Sequence, residues 1–389
     1  MKTTLWAALF LIPAVFVAGC AGFWDAPTSS GSTTPTTESS GIFYVLNQTT
    51  DQLAGYYISS GTLVAVSGSP YTLASAPYSI AIAPNGDFLY VGTTSGIYLY
   101  TIGTSGALTL GNSGSPISSD IPAAMQVSGS WLIDAYIVSS GEVELNAYSI
   151  SSSSGAYTGT SENQIFNISN ASVNQMVLSP DADYLFVALG SGGTIAVPFT
   201  SGNTNPLGST ARTIGVSYSG GSALSVAVDP SERLFYVGET LANSGSSGGL
   251  RVFNYSSLSG TLTQASGSPI ASGSLAPHAI LPAADGTYVY VASGDGNTAT
   301  GVVKSFTITY SDSTYTITAN SSITAGIMPM GLAEDSDDNF VLAVSTGGST
   351  SSGDPDLEAY TMSSGTLTAA ITSTTGTDPV GAIAVAALP

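Results

Sequence analysis

Few side chains in this 389-residue sequence could act as an acid, a base or a nucleophile. The only histidine is His278, and an imidazole is the side chain that most often activates water as a general base. Glu239 could be its partner or its substitute, because the loops predicted to carry the two residues emerge at the same end of the fold. Two cations of the same part of the sequence, Arg212 and Arg251, are not predicted at that end, where an oxyanion would need donors. His278 and Glu239 are therefore the candidate catalytic residues; the alternative is a surface or hydrogen-bonding histidine at the start of a strand.

Carboxylates are plentiful on the loops predicted at the same end: Asp51, Asp120, Glu239, Asp295, Asp354, Asp356 and Asp378. Together they could bind calcium, which prefers oxygen ligands, or attract a cationic ligand. No segment has EF-hand spacing, and the opposite turns are acidic too, so solvated turn carboxylates are the alternative interpretation. No cofactor is required in this interpretation, and calcium is the metal that the sequence allows. The candidates for the ligand-binding face are Tyr78, Asp51, Asp295, Asp354 and Asp356.

The overall composition excludes several classes of function. Acidic residues outnumber Lys and Arg by 25 to 5, and the formal charge of −20 repels nucleic acid. A single cysteine rules out an internal disulfide, a paired-cysteine zinc site and a haem attachment motif. The abundance of Gly, Ser, Thr, Val and Tyr is typical of short strands joined by turns.

The N-terminus has the features of an export signal. Lys2 precedes an apolar run, residues 5–17, and the run ends in Val17-Ala18-Gly19-Cys20, which resembles the bacterial lipobox. The resemblance implies a signal peptide over 1–19 and a lipidated Cys20 as the membrane anchor, on the outer membrane, in the periplasm or at the cell surface. An uncleaved membrane anchor is the alternative. Residues 20–40, rich in Ser and Thr, are predicted to be a flexible tether.

Internal repeats predict the fold of residues 41–389. A unit that begins with a short strand, a turn and a nearly continuous apolar strand recurs about every fifty residues, as in residues 76–102. Four strand-like segments per unit and this period predict a seven-bladed β-propeller of four-stranded antiparallel blades. Only three strands precede the first full unit, and the tail after Pro379 supplies one more. We therefore expect residues 380–385 to pair beside residues 43–46 and close the ring; a β-solenoid or two β-sandwiches are the alternatives.

The segment at residues 77–91, Pro-x-x-Ile-Ala-x-x-Pro-Asn-Gly-x-x-Leu-Tyr-Val, resembles the YVTN-type repeat of lactonase-family propellers, which include 6-phosphogluconolactonases. The resemblance implies a seven-bladed propeller and possible lactone hydrolysis. Catalytic members carry a Pro-Arg-His blade opening, of which Pro277-His278 matches a part, without the arginine. They also carry Asn-Glu after a Tyr-Val-Val strand, and residues 236–239 resemble this feature with Gly238 replacing Asn.

Two hypotheses follow from these observations. The first is a monomeric cell-envelope lipoprotein, held to a membrane through Cys20, that binds a protein, glycan or small-molecule ligand through its loop-bearing face. The second is an extracytoplasmic lactone hydrolase that uses His278 and Glu239. A phosphosugar would be an unexpected substrate, because the predicted mouth lacks cations to hold a phosphate.

Overall fold

The computed structural model describes residues 41–139, 141–243, 245–272, 276–295, 300–311, 314–346, 356–372 and 381–389. The predicted signal peptide, Cys20 and the tether lie outside the described residues, as do Asp354 and Asp378. The regular secondary structure of the described chain is almost entirely β-strand, with one short 3-10 helix at Asn112–Gly114. Within these ranges no helix has the length and hydropathy needed to cross a bilayer.

Turn-forming residues define the hairpins between the first two strands of each blade. In the segment Pro84-Asn85-Gly86-Asp87, Gly86 adopts a φ of +72°, a conformation that side chains with a Cβ rarely reach. Its amide donates to the Ala83 carbonyl at 2.8 Å, and the Asn85 side-chain oxygen accepts from the Asp87 amide at 3.2 Å. These local bonds reverse the chain, so that the apolar runs on either side pair as antiparallel strands.

The strands form seven antiparallel sheets, numbered here as blades 1 to 7. Blade 1 is made of strands from both ends of the described chain: β1 (Phe43–Asn47), β2 (Gln52–Ser59), β3 (Thr62–Ala65), the short β4 (Tyr71–Thr72) and β30 (Ala382–Ala387). Blades 2 and 3 contain β5 (Pro77–Ile82), β6 (Phe88–Thr93), β7 (Gly96–Ile102), β8 (Leu108–Leu110), β9 (Ala124–Ser128), β10 (Trp131–Ser139), β11 (Glu142–Ile150) and β12 (Tyr157–Asn167).

The remaining four blades follow in chain order. Blades 4 and 5 contain β13 (Gln175–Leu178), β14 (Tyr184–Ala188), β15 (Thr194–Pro198), β16 (Arg212–Ile214), β17 (Ala223–Val228), β18 (Leu234–Asn243), β19 (Ser247–Ser256), β20 (Thr261–Gln264) and the short β21 (Ile270–Ala271). Blades 6 and 7 contain β22 (Pro277–Pro282), β23 (Tyr288–Ser293), β24 (Thr300–Ser311), β25 (Thr314–Ile327), β26 (Pro329–Glu334), β27 (Phe340–Ser345), β28 (Leu357–Ser363) and β29 (Thr366–Thr372).

The C-terminal strand closes the ring. β30 pairs antiparallel with β1, with Val45 opposite Val385 and Leu46 opposite Ala384. It is the inner strand of blade 1 and contacts the inner strands of blades 2 and 7, β5 and β26. The prediction that the tail supplies the missing strand of the first blade is confirmed, as is the seven-bladed architecture.

The core is divided into seven apolar clusters, each lying between two neighbouring blades. The second strand of each blade contributes to the clusters on both of its faces, which explains why these strands are nearly continuous apolar runs. In β6, for example, all six residues are buried. Tyr90, Phe186 and Tyr290 are buried in these clusters, where they pack between blades.

Neighbouring blades approach so closely near the channel that glycine is required at particular positions. A Cβ placed on Gly238 would lie 2.3 Å from the Ser225 Oγ and 2.8 Å from the Pro277 carbonyl oxygen. Gly92 has the equivalent place in blade 2, where a Cβ would lie 2.3 Å from the Pro122 Cγ. Gly238 is the residue that replaces the Asn of the lactonase pattern, and no larger side chain fits beside Pro277 without movement of the backbone.

Candidate functional site

In each of four blades, a β-bulge near the start of the first strand places one side chain at the loop-bearing end of the central channel, its mouth. In blades 2, 5, 6 and 7 the pairing of the first strand shifts by one residue just after its first position. The residues skipped by this shift are Tyr78, Leu224, His278 and Met330. A bulge re-aims a side chain, and none of these four is fully buried. In these four blades the repeat therefore presents one variable side chain at the loop-bearing end.

Hydrogen bonds between blades hold these bulges in place. The Ser79 Oγ donates to the Pro122 carbonyl at 3.0 Å, and the Ser225 Oγ donates to the Pro277 carbonyl at 2.7 Å. The Gln48 Nε2 donates to the Pro77 carbonyl at 3.0 Å, from blade 1 to blade 2. The carbonyls of Pro77 and Pro277 directly precede the bulged residues Tyr78 and His278, so these bonds position both side chains.

His278 is half-buried at the start of β22. Burial lowers the pKa of its imidazole, while the hydrogen bond with the Gly294 backbone and the negative charge of Asp295 act in the opposite direction. Because burial dominates, the imidazole is neutral at neutral pH and keeps a lone pair that can accept a proton. Its position at the mouth and its protonation state are both suitable for a general base.

Glu239 is not paired with His278; it forms a buried ion pair with Arg251. The Arg251 Nη1 lies 2.7 Å from the Glu239 Oε1, and the Ser217 backbone amide donates to Oε2 at 2.9 Å. The glutamate is 2% exposed, and Arg251 also donates to the Gly215 carbonyl at 2.8 Å. Both carboxylate oxygens therefore have partners in blade 5 and in the loop before it, and His278, on the first strand of blade 6, is not among them. The structure does not bring the two candidate catalytic residues together.

The predicted ligand-face residues have different environments. Asp51 lies in the turn between β1 and β2 with a φ of +50°, and Asp295 is exposed after β23, near His278. Asp356 is only 2% exposed, and its Oδ2 accepts a hydrogen bond from the Gly381 amide at 3.0 Å, just before the closing strand. Its carboxylate thus helps to dock the tail.

Tyr78 and Asp120 lie together in a pocket. This cavity has a volume of about 560 Å³ and is formed by blade 2, the loop to blade 3, the end of β10 and the loop before β13. The Tyr78 side chain is 44% exposed, whereas the other three bulged residues are partly buried. The lining consists of two tyrosines, one carboxylate, two serines and four aliphatic side chains: Tyr78, Ser119, Asp120, Ile121, Ala123, Tyr136, Ile137, Ser172 and Val173.

The pocket carboxylate Asp120 is connected through a tyrosine to a buried carboxyl group, Asp134, that the sequence analysis did not identify. Asp134, on β10, is fully buried, and its Oδ1 accepts from the Asn146 Nδ2 at 3.1 Å. The Tyr148 hydroxyl donates to the Asp120 Oδ2 and lies 3.3 Å from the Asp134 Oδ2. Ser118 donates to the same Asp120 oxygen at 2.6 Å. The tyrosine thus connects the pocket carboxylate to the buried one.

Burial and mutual repulsion alter the protonation of this cluster. Burial, together with the nearby charge of Asp120, raises the pKa of Asp134 to about 7, although the hydrogen bonds from Asn146 and Tyr148 act in the opposite direction. Burial also raises the pKa of Tyr136 to about 12 and that of Tyr148 well above its usual range. Both tyrosines therefore keep their protons, and Asp134 is the group that titrates near neutral pH.

A sequence signal for this cluster exists but is weak. Asp134 interrupts the apolar strand Trp131–Ser139 at a position where blade 2 has Val91 and blade 5 has Val237. A carboxyl group on a doubly buried strand needs partners, which makes it a candidate for a functional role. Asp120 was identified only as one of many loop carboxylates.

The described residues contain no group of three or more His, Cys, Asp or Glu side chains arranged to hold a metal ion. Asp354 and Asp378 lie outside these residues, so the expectation that calcium could bind at the mouth remains a prediction.

No protein-family model matches this chain, and no curated protein matches it. Solved structures do. A proposed 6-phosphogluconolactonase from Bacteroides uniformis superposes with a TM-score of 0.68 at 16% identity, covering 90% of this chain and 99% of its own. A second, from Bacteroides fragilis, has a TM-score of 0.68 at 13% identity over 92% and 100% of the two chains. The periplasmic gluconolactonase of Pseudomonas aeruginosa has a TM-score of 0.65 at 16% identity over 90% and 99%. These neighbours share the lactonase-like propeller fold.

The ion pair between Glu239 and Arg251 predicts a loss of stability when its acid is removed. In Glu239→Gln the buried guanidinium loses its counter-charge, and we expect a loss of about 3–5 kcal/mol in the free energy of unfolding. Asp181, an exposed turn carboxylate, is the control, and Asp181→Asn should change stability by less than about 0.5 kcal/mol. Denaturant unfolding measures both. Equal stabilities would show that the pair contributes little.

Proposed function

We propose that this chain is a ligand-binding propeller of the bacterial cell envelope, and that the pocket between Tyr78, Asp120 and Tyr136 takes a small organic molecule. The pocket itself is the observation that carries this proposal. Its size suits a ligand of one or two rings, and its wall combines aromatic and aliphatic surface with a few polar groups. It also opens at the end where the bulges of four blades present their side chains.

The arrangement of charge supports binding rather than phosphosugar hydrolysis. The pocket lining includes no Lys, Arg or His, so a phosphate would meet Asp120 without a compensating cation. Arg251, on the strand next to that of the candidate glutamate, is engaged with Glu239. The carboxylate that a hydrolase would need beside its histidine is consequently neutralised by Arg251 within blade 5.

Lactone hydrolysis is a second candidate, favoured by His278. Its imidazole is neutral, lies at the mouth beside Asp295, and belongs to a fold shared with a periplasmic gluconolactonase. A neutral imidazole could deprotonate the water that attacks a lactone carbonyl. In this candidate Asp295, rather than Glu239, is the acid positioned to orient the imidazole.

The envelope location rests on two observations. The segment that ends at Cys20 resembles a lipobox, and a structural neighbour of almost equal length is described as periplasmic. An exported chain anchored by acyl groups would expose its propeller to solutes outside the cytoplasm through the tether of residues 20–40.

The binding proposal is tested by ligand-observed NMR with a panel of six-membered ring compounds: cyclohexanol, cyclohexylamine, methyl glucoside and glucono-δ-lactone. We expect saturation transfer to at least one compound in the wild type and its loss in Ala123→Phe, because the new ring fills the pocket. Tyr78→Ala should weaken the same signal. Leu258→Ser, at a 98% exposed position, is the control. Absence of transfer to every compound, or transfer that Ala123→Phe leaves unchanged, would refute the proposal.

The hydrolase candidate is tested on glucono-δ-lactone. If His278 is the base, His278→Gln should lower kcat/KM about 100-fold, and the acid limb of the wild-type pH–rate profile should lie below that of an exposed imidazole. The pH shift follows from the lowered pKa, since the imidazole stays neutral to lower pH. Equal rates for wild type and variant would eliminate this candidate.

The anchor is tested by replacing its acyl acceptor. In Cys20→Ser we expect loss of fatty-acid labelling and release of the protein from the membrane fraction into the soluble fraction, because no acyl chain remains to be buried. Cell fractionation with labelled palmitate measures both effects. A variant that stays in the membrane fraction would instead support an uncleaved apolar anchor.

A further inference from the structure

The pocket has one charged wall, and this wall is negative. Asp120 is the carboxylate on its lining, and the Asp120 Oδ2 already accepts from Ser118 and Tyr148. Among the described residues no donor is bonded to its Oδ1. Asp120 therefore retains one acceptor oxygen for a ligand, at the edge of a surface formed by Tyr78 and Tyr136.

A second carboxyl group strengthens the negative potential at this wall. Asp134 is connected to Asp120 through Tyr148, and the charge of Asp120 contributes, after burial, to the raised pKa of Asp134 because like charges repel. The other ionisable groups around Asp134 are Tyr148 and Glu144 on β11, Tyr136 on its own strand, and Tyr78 across the pocket in blade 2. None of these groups can carry a positive charge, so the repulsion has no counter-ion within the site.

The geometry of the wall discriminates among possible cations. A divalent metal ion would need several oxygen ligands, and Asp120 is the one carboxylate that lines the cavity. The cavity of about 560 Å³ is instead large enough for an organic body that packs on Tyr78, Ile121 and Val173. An ammonium group at one end of such a body could donate to Asp120 and lie against a tyrosine face.

We propose that the pocket is selective for a small organic amine in its ammonium form, and that Asp120 is the residue that selects it. The inference rests on the proposed binding function and specifies its ligand class. An uncharged sugar or alcohol could use the same oxygen as a hydrogen-bond acceptor, but it would leave the repulsion between Asp120 and Asp134 in place. An ammonium group relieves that repulsion.

Binding of an ammonium ion is consequently linked to the ionisation of Asp134. A positive charge near the pair favours the deprotonated form of Asp134, so the amine lowers its pKa and displaces its proton to solvent. By reciprocity, deprotonation of Asp134 must increase affinity for the amine. Affinity should therefore rise as the pH increases through about 7, and the proton released should be detectable as a dependence of the binding heat on the buffer.

The test compares cyclohexylamine with cyclohexanol, which have the same ring but differ in charge. An alkylamine keeps its charge below about pH 10, so only the protein titrates between about pH 5.5 and 8.5. By isothermal titration calorimetry near pH 8, we expect the amine to bind on the order of tenfold more tightly than the alcohol, a difference of about 1.4 kcal/mol. The amine affinity should increase severalfold from about pH 5.5 to 8, and the alcohol affinity should not.

Three variants distinguish the parts of the inference. Asp120→Asn should abolish the preference for the amine while alcohol binding remains. Asp134→Asn keeps an amide oxygen that can accept from Asn146 and places an amide NH2 that can donate to the Tyr148 hydroxyl oxygen, and it should flatten the pH dependence. Asp285→Asn, an exposed carboxylate in the opposite turn, is the control and should change neither property.

The outcomes separate this inference from the function on which it rests. If neither ring compound binds the wild-type pocket, the proposed function fails. If both bind with equal affinity, or if Asp120→Asn keeps the preference for the amine, the binding function stands and the selectivity is refuted. Melting temperatures of all variants establish that each is folded before its affinity is interpreted.

Discussion

The pairing of β30 with β1 is the contact on which the rest of the molecule depends. Each blade is apolar on both faces, so no blade can be stable without a neighbour on each side. Blades 2 to 7 are each formed by consecutive segments of the chain. Without β30, blade 1 would lack its inner strand, and the apolar face of blade 7 that packs on it would be partly uncovered. When β30 joins blade 1, it supplies that strand and completes the apolar cluster that includes Phe43, Leu342 and Ala382. The Asp356 carboxylate and Gly381 amide reinforce the same junction.

Closure of the ring also limits which residues can take part in function. The blades converge so tightly at the channel that Gly92 and Gly238 have no room for a Cβ. Two kinds of side chain lie outside this closely packed region. They are the bulged residues at the start of a first strand, such as Tyr78 and His278, and residues of the connecting loops, such as Asp120. Chemistry on this fold is therefore determined by a few positions that can vary without disturbing the packing of the blades.

The sequence was sufficient to predict the architecture and insufficient to predict the partners of its charged groups. Repeat spacing, turn residues and the incomplete blades at the two ends can be read from short segments of sequence. They were enough to predict that Val385 would lie beside the first strand. Glu239 and Arg251 are twelve residues apart and lie on adjacent strands of one hairpin. Their pairing depends on which face of the hairpin each side chain occupies, and on the loop of the preceding blade, where the Ser217 amide donates to Glu239. Asp134 became interpretable only when the fold brought the loop of Asp120 against β11.

The distribution of the few cations decides what the loop-bearing end can attract. Arg251 is held by Glu239, Lys304 donates to the Ala271 carbonyl at 3.0 Å, and Arg212 donates to the Ser259 carbonyl at 3.0 Å. Arg233 lies over the Tyr310 ring at 5.9 Å. All four cations of the described chain are thus engaged with blade-packing or turn groups, and none lines the Tyr78 pocket. Because the remaining field around that pocket comes from carboxylates in a chain of formal charge −20, it repels anions and concentrates cations. The same scarcity of positive charge that makes a phosphosugar an unsuitable ligand makes an ammonium ion a suitable one.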